Sequence, residues 1–348
     1  MSEVTSNATA YDAILIVSFG GPEAPEDVVP FLENVTRGRG IPRERLEQVG
    51  AHYHLFGGRS PINDQCRALI SSLEQELHSE GIDLPVYWGN RNWTPMLADT
   101  VQTMADDGIS HALAFVTSAT SSYSSCRQYR EDIERAQAEV GPSAPTIDKI
   151  RQFYDHPGFI EPMIDNVHSA LSDVGVDARL VFTAHSVPMS MASTSDYQAQ
   201  LGEASRLVAN GVGHEDFDLV WQSRSGPPSV PWLEPDVNDH LEALKGNGTE
   251  AVVLVPIGFI SDHMEVIYDL DTEAVATAER IGMQLARAKT VGIHPRFISA
   301  IVELIEERRS GTPKQALGNL AIRPDVCAVD CCPAPVRPSI PSGRPATQ

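Results

Sequence analysis

Nothing in the sequence is apolar for long enough to cross a bilayer: the richest run, Ala251 to Ile260, is about ten residues, half of what a spanning helix requires. Met1 to Ala10 lacks the basic start and apolar run of a secretory signal, so a cytoplasmic location is expected. Positive charge is scarce. Against 47 Asp and Glu stand 26 Lys and Arg, a formal net charge of −21 that repels phosphate backbones and anionic lipids and sets nucleic acid aside as a partner. Cysteine is scarce too, five in 348 residues, too few for a disulfide framework.

With 42% hydrophobic and 21% charged residues, the chain suits one large or two medium α/β domains. Ala13 to Phe19 is a β-branched run ending in Gly20-Gly21-Pro22, the pattern of a buried parallel strand entering a loop. Helices are expected over Glu26 to Arg37, Arg43 to Tyr53 and Pro61 to His78, and strands over Val86 to Gly89 and Ala112 to Thr117. After Gly141 to Pro145 the alternation resumes, with helices from Pro157, Asp196, Pro235 and His263 and strands from Arg179, Asp218, Ala251 and Gln284. Two Rossmann-like, doubly wound parallel sheets with a cleft between them are the economical reading. Their expected extents are residues 11–150 and 151–315, the last helix of the second packing back on the first, with 316–348 a Cys-containing extension whose end, from Pro333, reads as a disordered tail.

Chemistry concentrates at strand ends. The strand from Arg179 delivers His185 at its carboxyl end, where ligands sit in open α/β sheets; a His capping the following turn is the structural alternative. The strand from Ala251 opens into a helix on which Glu265, Asp269 and Glu273 recur at i, i+4 and i+8. Such a stripe is either a solvated face or, beside His185, a row suited to cations or protons. Ser60 before Pro61 has a satisfactory account as a helix cap. The hydroxyl-rich loop Thr117 to Cys126, which contains Tyr123, exceeds what capping needs and could also bind an anion.

Three of the cysteines, Cys327, Cys331 and Cys332, lie close together near the C-terminus and lack a second CxxC pair for a zinc ribbon. Cys126, at a strand-end loop, is the natural fourth thiol; Cys66 fits a helix core. An iron–sulfur centre, zinc and reactive free thiols all remain open on spacing alone.

Taken in order, Val17-Ser-Phe-Gly-Gly-Pro22, Tyr53 with Gly57-Gly-Arg-Ser-Pro-Ile62, Phe182-Thr-Ala-His-Ser-Val-Pro188, Val220-Trp-Gln-Ser-Arg-Ser-Gly-Pro227 with Pro231-Trp232-Leu233, and Pro256-Ile-Gly-Phe-Ile-Ser-Asp-His-Met-Glu265 resemble the ferrochelatase family through most of the chain. The resemblance implies a monomer of two Rossmann-like halves gripping a porphyrin and inserting ferrous iron into it. It places the family's catalytic histidine on His185 and its facing glutamate on Glu265, both near the iron, with Asp269 and Glu273 as a path for protons or metal. Phe19 falls where relatives carry Tyr near the metal, so no phenol is available there. Arg37, Ser60 and Tyr123 fall in segments that line the porphyrin or hold its propionates.

Some family members bind a [2Fe–2S] cluster through one internal and three C-terminal cysteines, a count that Cys126, Cys327, Cys331 and Cys332 supply. The tight C-terminal spacing is similar to that of actinobacterial members, which favours coproporphyrin III over protoporphyrin IX as substrate. A chelatase for another metal and tetrapyrrole, or a porphyrin or haem carrier without catalysis, are the competing readings. The pairing of His185 with Glu265 argues for an enzyme, since removal of two pyrrole protons needs an acceptor near neutrality, and histidine is one.

Overall fold

Strands β1 (Ala13–Ser18), β2 (Val86–Asn90), β3 (His111–Val116) and β4 (Thr146–Lys149) form one parallel sheet in the order β2-β1-β3-β4. A second sheet repeats the pattern with β5 (Arg179–His185), β6 (Phe217–Gln222), β7 (Ala251–Val255) and β8 (Gln284–Arg287), in the order β6-β5-β7-β8. The computed structural model describes residues 10–335. The expected tail from Pro333 therefore lies, from residue 336 onward, outside the described residues.

The central strands are apolar because helices cover both faces of each sheet. All six residues of β1 are buried, as are Val252 to Val255 of β7. In each sheet the chain runs outward from the first strand, then crosses back to its other side, so the strand order reverses between β1 and β3 and between β5 and β7. At such a reversal the connections leave in opposite directions and a crevice opens beyond the carboxyl ends.

Three elements of the first half go beyond the sequence reading: helices Leu97–Asp106 and Gln128–Val140, and the edge strand β4. The expected continuous helix from His263 is instead an α-turn, Met264–Tyr268, a π segment, Asp269–Ala274, and a second α-helix, Val275–Ile281. The π segment sits in the acid row, where an extra residue per turn re-aims side chains.

The final helix, Pro295–Arg309, buries Phe297, Ile298, Ile301, Leu304 and Ile305 in the main core. It touches both halves: Ser299 donates to Glu76 of helix Ile62–Ser79 at 2.6 Å, and Glu307 receives the buried guanidinium of Arg151 at 2.7 and 2.9 Å. Beyond it the described chain has no regular element and runs as a strap. Leu317 N–H donates to the Asp155 carbonyl at 2.9 Å, Arg323 pairs with Asp196 at 2.6 Å, and Arg127 donates to the Cys331 carbonyl at 3.0 Å.

Candidate active site

His185 ends β5, and Glu265 opens the helix after β7, so the two flank the strand-order reversal of the second sheet. Gly258 makes the close approach possible: a Cβ there would come within 2.6 Å of the Ala184 Cβ. The Tyr197 hydroxyl donates to the His185 carbonyl at 3.0 Å, and Gln222 donates to the Glu265 carbonyl at 2.8 Å. The backbone of both residues is thus held from neighbouring elements.

His185 Nδ1 hydrogen-bonds the Ser186 carbonyl. A carbonyl only accepts, so Nδ1 carries the proton and Nε2 is left as the basic nitrogen. Nε2 lies 3.6 Å from Glu265 Oε1, and the side chains keep 30% and 46% exposure, a recess open to a ligand. Burial acts to lower the His185 pKa, but the Glu265 charge and its hydrogen bond outweigh it and lift the imidazole to about 9. For Glu265 burial acts upward, and the His185 charge overcomes it, taking the carboxyl down to about 2. At neutral pH the resting pair is imidazolium and carboxylate. This corrects the expectation of a near-neutral histidine.

Glu265 faces His185, as the resemblance implies, and does so at short range. A ring plane between two groups needs van der Waals contact on both faces, about 7 Å in all. At 3.6 Å His185 Nε2 and Glu265 Oε1 are in direct contact, and the gap between them has no room for a ring plane.

Asp269 and Glu273 follow Glu265 in the chain, both within the π segment. Asp269 is pushed up to about 7, by burial first and then by the charges of Glu265 and Glu273 against the lowering effect of Ser223. Ser223 hydrogen-bonds Asp269 from a left-handed backbone with φ of 60°. A non-glycine residue there costs about 1–3 kcal/mol, which the surrounding contacts must hold in place. Glu273 is exposed at the outer end. His263 caps the helix, its Nδ1 accepting from Glu265 N–H at 3.2 Å.

The first half supplies rings opposite. Phe19, after β1, packs edge-on to Phe31 at 6.3 Å, and Phe31 in turn to Tyr53 at 6.0 Å and Trp93 at 6.2 Å. The Tyr53 phenol is raised by burial first and then by the charge of Glu265. Arg37 is exposed beyond helix Val28–Val35. Ser60 is buried, its hydroxyl accepting from Ile62 N–H at 3.4 Å, so it serves the helix start. Tyr123 is half-buried and donates to Glu131 at 3.1 Å. Cavities of about 450 Å³, lined by Ser186, Trp221 and Arg224 among others, and about 370 Å³, lined by Gln65, Thr117 and Asp262 among others, border this region without containing His185 or Glu265.

The cysteines meet at the end of the strap. Cys126 and Cys327, Cys327 and Cys331, and Cys331 and Cys332 shift one another's ionisation. Cys327 is lowered to about 5, chiefly by Cys126, whereas burial and its neighbours hold Cys332 up at about 11. Among the described residues, no three His, Cys, Asp or Glu are arranged to hold a single metal ion. Cys66 is a buried helix residue, as its pattern indicates.

Sequence reasoning missed Tyr197, Gln222 and Ser223 as supports. The last two sit within the motif Val220 to Pro227, and Tyr197 carries no sequence signal.

A ferrochelatase family profile matches residues 11–309. A coproporphyrin III ferrochelatase of Nocardia farcinica is 54% identical over 352 residues, covering 96% of this chain and 100% of that protein. A ferrochelatase of Rhodopirellula baltica is 51% identical over 346 residues, covering 98% and 99%. The fold is also that of SirB from Bacillus subtilis, solved with Fe3+, with a TM-score of 0.54 at 14% identity over 87% of this chain and 97% of that one. Two matched sheets, an imidazole and carboxylate at the reversal of one of them, and sequence identity along nearly the whole length lead to one conclusion: the chain belongs to the ferrochelatase family and is a metal chelatase.

Proposed function

We propose that this chelatase inserts ferrous iron into coproporphyrin III, with His185 as proton acceptor and Glu265, Asp269 and Glu273 as the route by which protons leave. The observation that carries the assignment is the His185–Glu265 pair beside the strand-order reversal. Insertion replaces two pyrrole N–H bonds by Fe–N bonds and releases two protons, with no change in iron oxidation state. Nε2 is the acceptor, since Nδ1 is committed to the Ser186 carbonyl. It must first give up its resting proton, and Asp269, at about 7, can take and release one near neutrality. Imidazole and carboxylate bind Fe2+ without trapping it, as thiolates would.

Coproporphyrin III is favoured by the relative from Nocardia farcinica, named for that substrate at 54% identity. In this reading Phe19 lines the slot, Arg37 holds a propionate and Tyr123, at the start of a helical segment, borders the ring. Ser60 acts there through the loop it caps. The first unit spans 11–150 and the second 151–315, with 316–348 an extension. The protein works as a monomer in the cytoplasm; among the described residues no helix is long and apolar enough to cross a membrane.

Cys126, Cys327, Cys331 and Cys332 hold a [2Fe–2S] cluster in this reading, supported by their number, one internal and three C-terminal, and by the mutual influence of the thiols on one another's ionisation. The cluster acts as a staple between the strap and the first half, since insertion needs no electron.

The test is anaerobic titration with Fe2+ and either porphyrin while following the Soret band. Metalloporphyrin formation, faster with coproporphyrin III, is expected. Porphyrin binding without metallation would make the chain a carrier, and a preference for cobalt or nickel would make it another chelatase. Purified protein without acid-labile sulfide would remove the cluster.

A further inference from the structure

His52 and Tyr268 come from opposite halves, and their rings lie face to face, with centroids 3.9 Å apart and planes 10° from parallel. His52 is in the last turn of helix Arg43–His54, and Tyr268 is the last residue before the π segment. The next residue, Tyr53, lies near enough to Glu265 for that carboxylate to act on its phenol. His52 thus touches Tyr268 across the gap, while Tyr53 lies within the electrostatic range of Glu265, one helical turn from Tyr268.

The segment carrying Glu265 is also tied at its other end. Gln65, in helix Ile62–Ser79, donates to the Asp262 carbonyl at 2.7 Å and accepts from Asp262 N–H at 2.8 Å. Asp262 and Tyr268 bracket Glu265, and each is fastened to the first half. Buckling a rigid macrocycle takes walls that do not yield when peripheral binding energy is applied. The amide bridge is hydrogen-bonded in both directions, whereas the second tie needs only two flat ring faces.

Resting on the reading of iron insertion into a porphyrin, we propose that the His52–Tyr268 stack is a positioning contact that fixes the spacing of the two halves beside Glu265, and so the width of the slot that distorts the ring. His52 acts here through its face and not as a ligand. Phenylalanine at either position preserves that face, whereas a small or non-planar side chain removes it.

The experiment compares wild type with His52→Ala, His52→Phe, Tyr268→Leu and the double variant His52→Ala/Tyr268→Leu, each full length and checked for folding by thermal unfolding. The readouts are coproporphyrin affinity, kcat for iron insertion, and the out-of-plane Raman bands of the bound porphyrin. His52→Ala and Tyr268→Leu are expected to bind porphyrin nearly as wild type does, lose about ten- to a hundredfold in kcat, and weaken the out-of-plane bands. His52→Phe should retain both signals, and the double variant should be no worse than either single one. Unchanged kcat and Raman bands in His52→Ala would overturn the proposal, as would a His52→Phe as impaired as His52→Ala, or losses that add in the double variant. If wild type binds porphyrin but inserts no iron, the functional reading falls, and the Raman comparison still judges the stack.

Discussion

His185 Nε2 and Glu265 Oε1 lie 3.6 Å apart at the mouth of the second sheet, and that contact sets the charge of both groups. It makes the imidazole a stronger base than free histidine and keeps its carboxylate partner ionised. The cost is that the base rests protonated at neutral pH and becomes available only as that proton leaves.

Glu265→Gln removes the charge that lifts His185, leaving burial as the largest remaining influence, and burial lowers the imidazole. The His185 pKa is expected to drop from about 9 to 6.5 or lower, read by NMR titration of the ring protons. The acid limb of kcat/KM, which reports the free enzyme's base, should move the same way. An unshifted imidazole would mean that the pair is not coupled. The stability linkage has the same origin. The contribution of His185 is full below pH 6.5 and lost as pH rises through about 9. That of Glu265 is full above pH 4.5 and lost as pH falls through about 2.

Asp269 has the opposite sign. Its folded pKa is raised from 3.8 to about 7, so ionising it costs stability above neutrality and nothing below its unfolded value. Asp269→Asn is expected to raise Tm relative to wild type at about pH 8 and to leave little difference at about pH 4. Iron insertion should slow at the same time, because a proton-releasing group is lost. A Tm gain equal at both pH values would contradict the assignment.

Arg151 and Glu307 form a buried bidentate pair joining the segment after β4 to the final helix. Glu307→Ala leaves the guanidinium uncompensated and is expected to cost about 3–5 kcal/mol in denaturant unfolding. Arg151→Met/Glu307→Leu should cost much less, since no lone charge is left inside. Equal losses would show that packing, not charge, dominates.

The strap's cysteine end is fastened by arginines. Arg130 donates to the carbonyls of Ala328 at 3.3 Å and Val329 at 3.2 Å, and Arg127 to that of Cys331 at 3.0 Å. Arg130→Ala is expected to speed maleimide labelling of Cys331 several-fold and, in cluster-loaded protein, to hasten bleaching of its visible absorbance. Unchanged labelling would mean that Arg130 does not restrain the loop.

Much of this architecture is written in local pattern. β5 and β7 announce themselves by β-branched runs, and their ends carry His185 and the loop to Glu265. β4 escapes because it is four residues long and has no fully buried position. Helix Gln128–Val140 escapes because its buried face rests on Tyr129, Asp132, Ile133 and Ala136, a weak apolar stripe in a charged segment. The acid row was legible as a spacing, but the π segment that re-aims it was not. The elevated His185 pKa and the strained Ser223 arise from tertiary neighbours that no local window contains, whereas the place of Ser60 at a helix start was legible in the chain itself.

Single-turnover iron insertion by His185→Ala, loaded with coproporphyrin III under anaerobic conditions, bears most directly on the proposed chemistry. Porphyrin binding should persist, while insertion slows by about 10²- to 10⁴-fold and recovers in part with added imidazole. Insertion within a few-fold of wild type, insensitive to imidazole, would contradict the role given to His185.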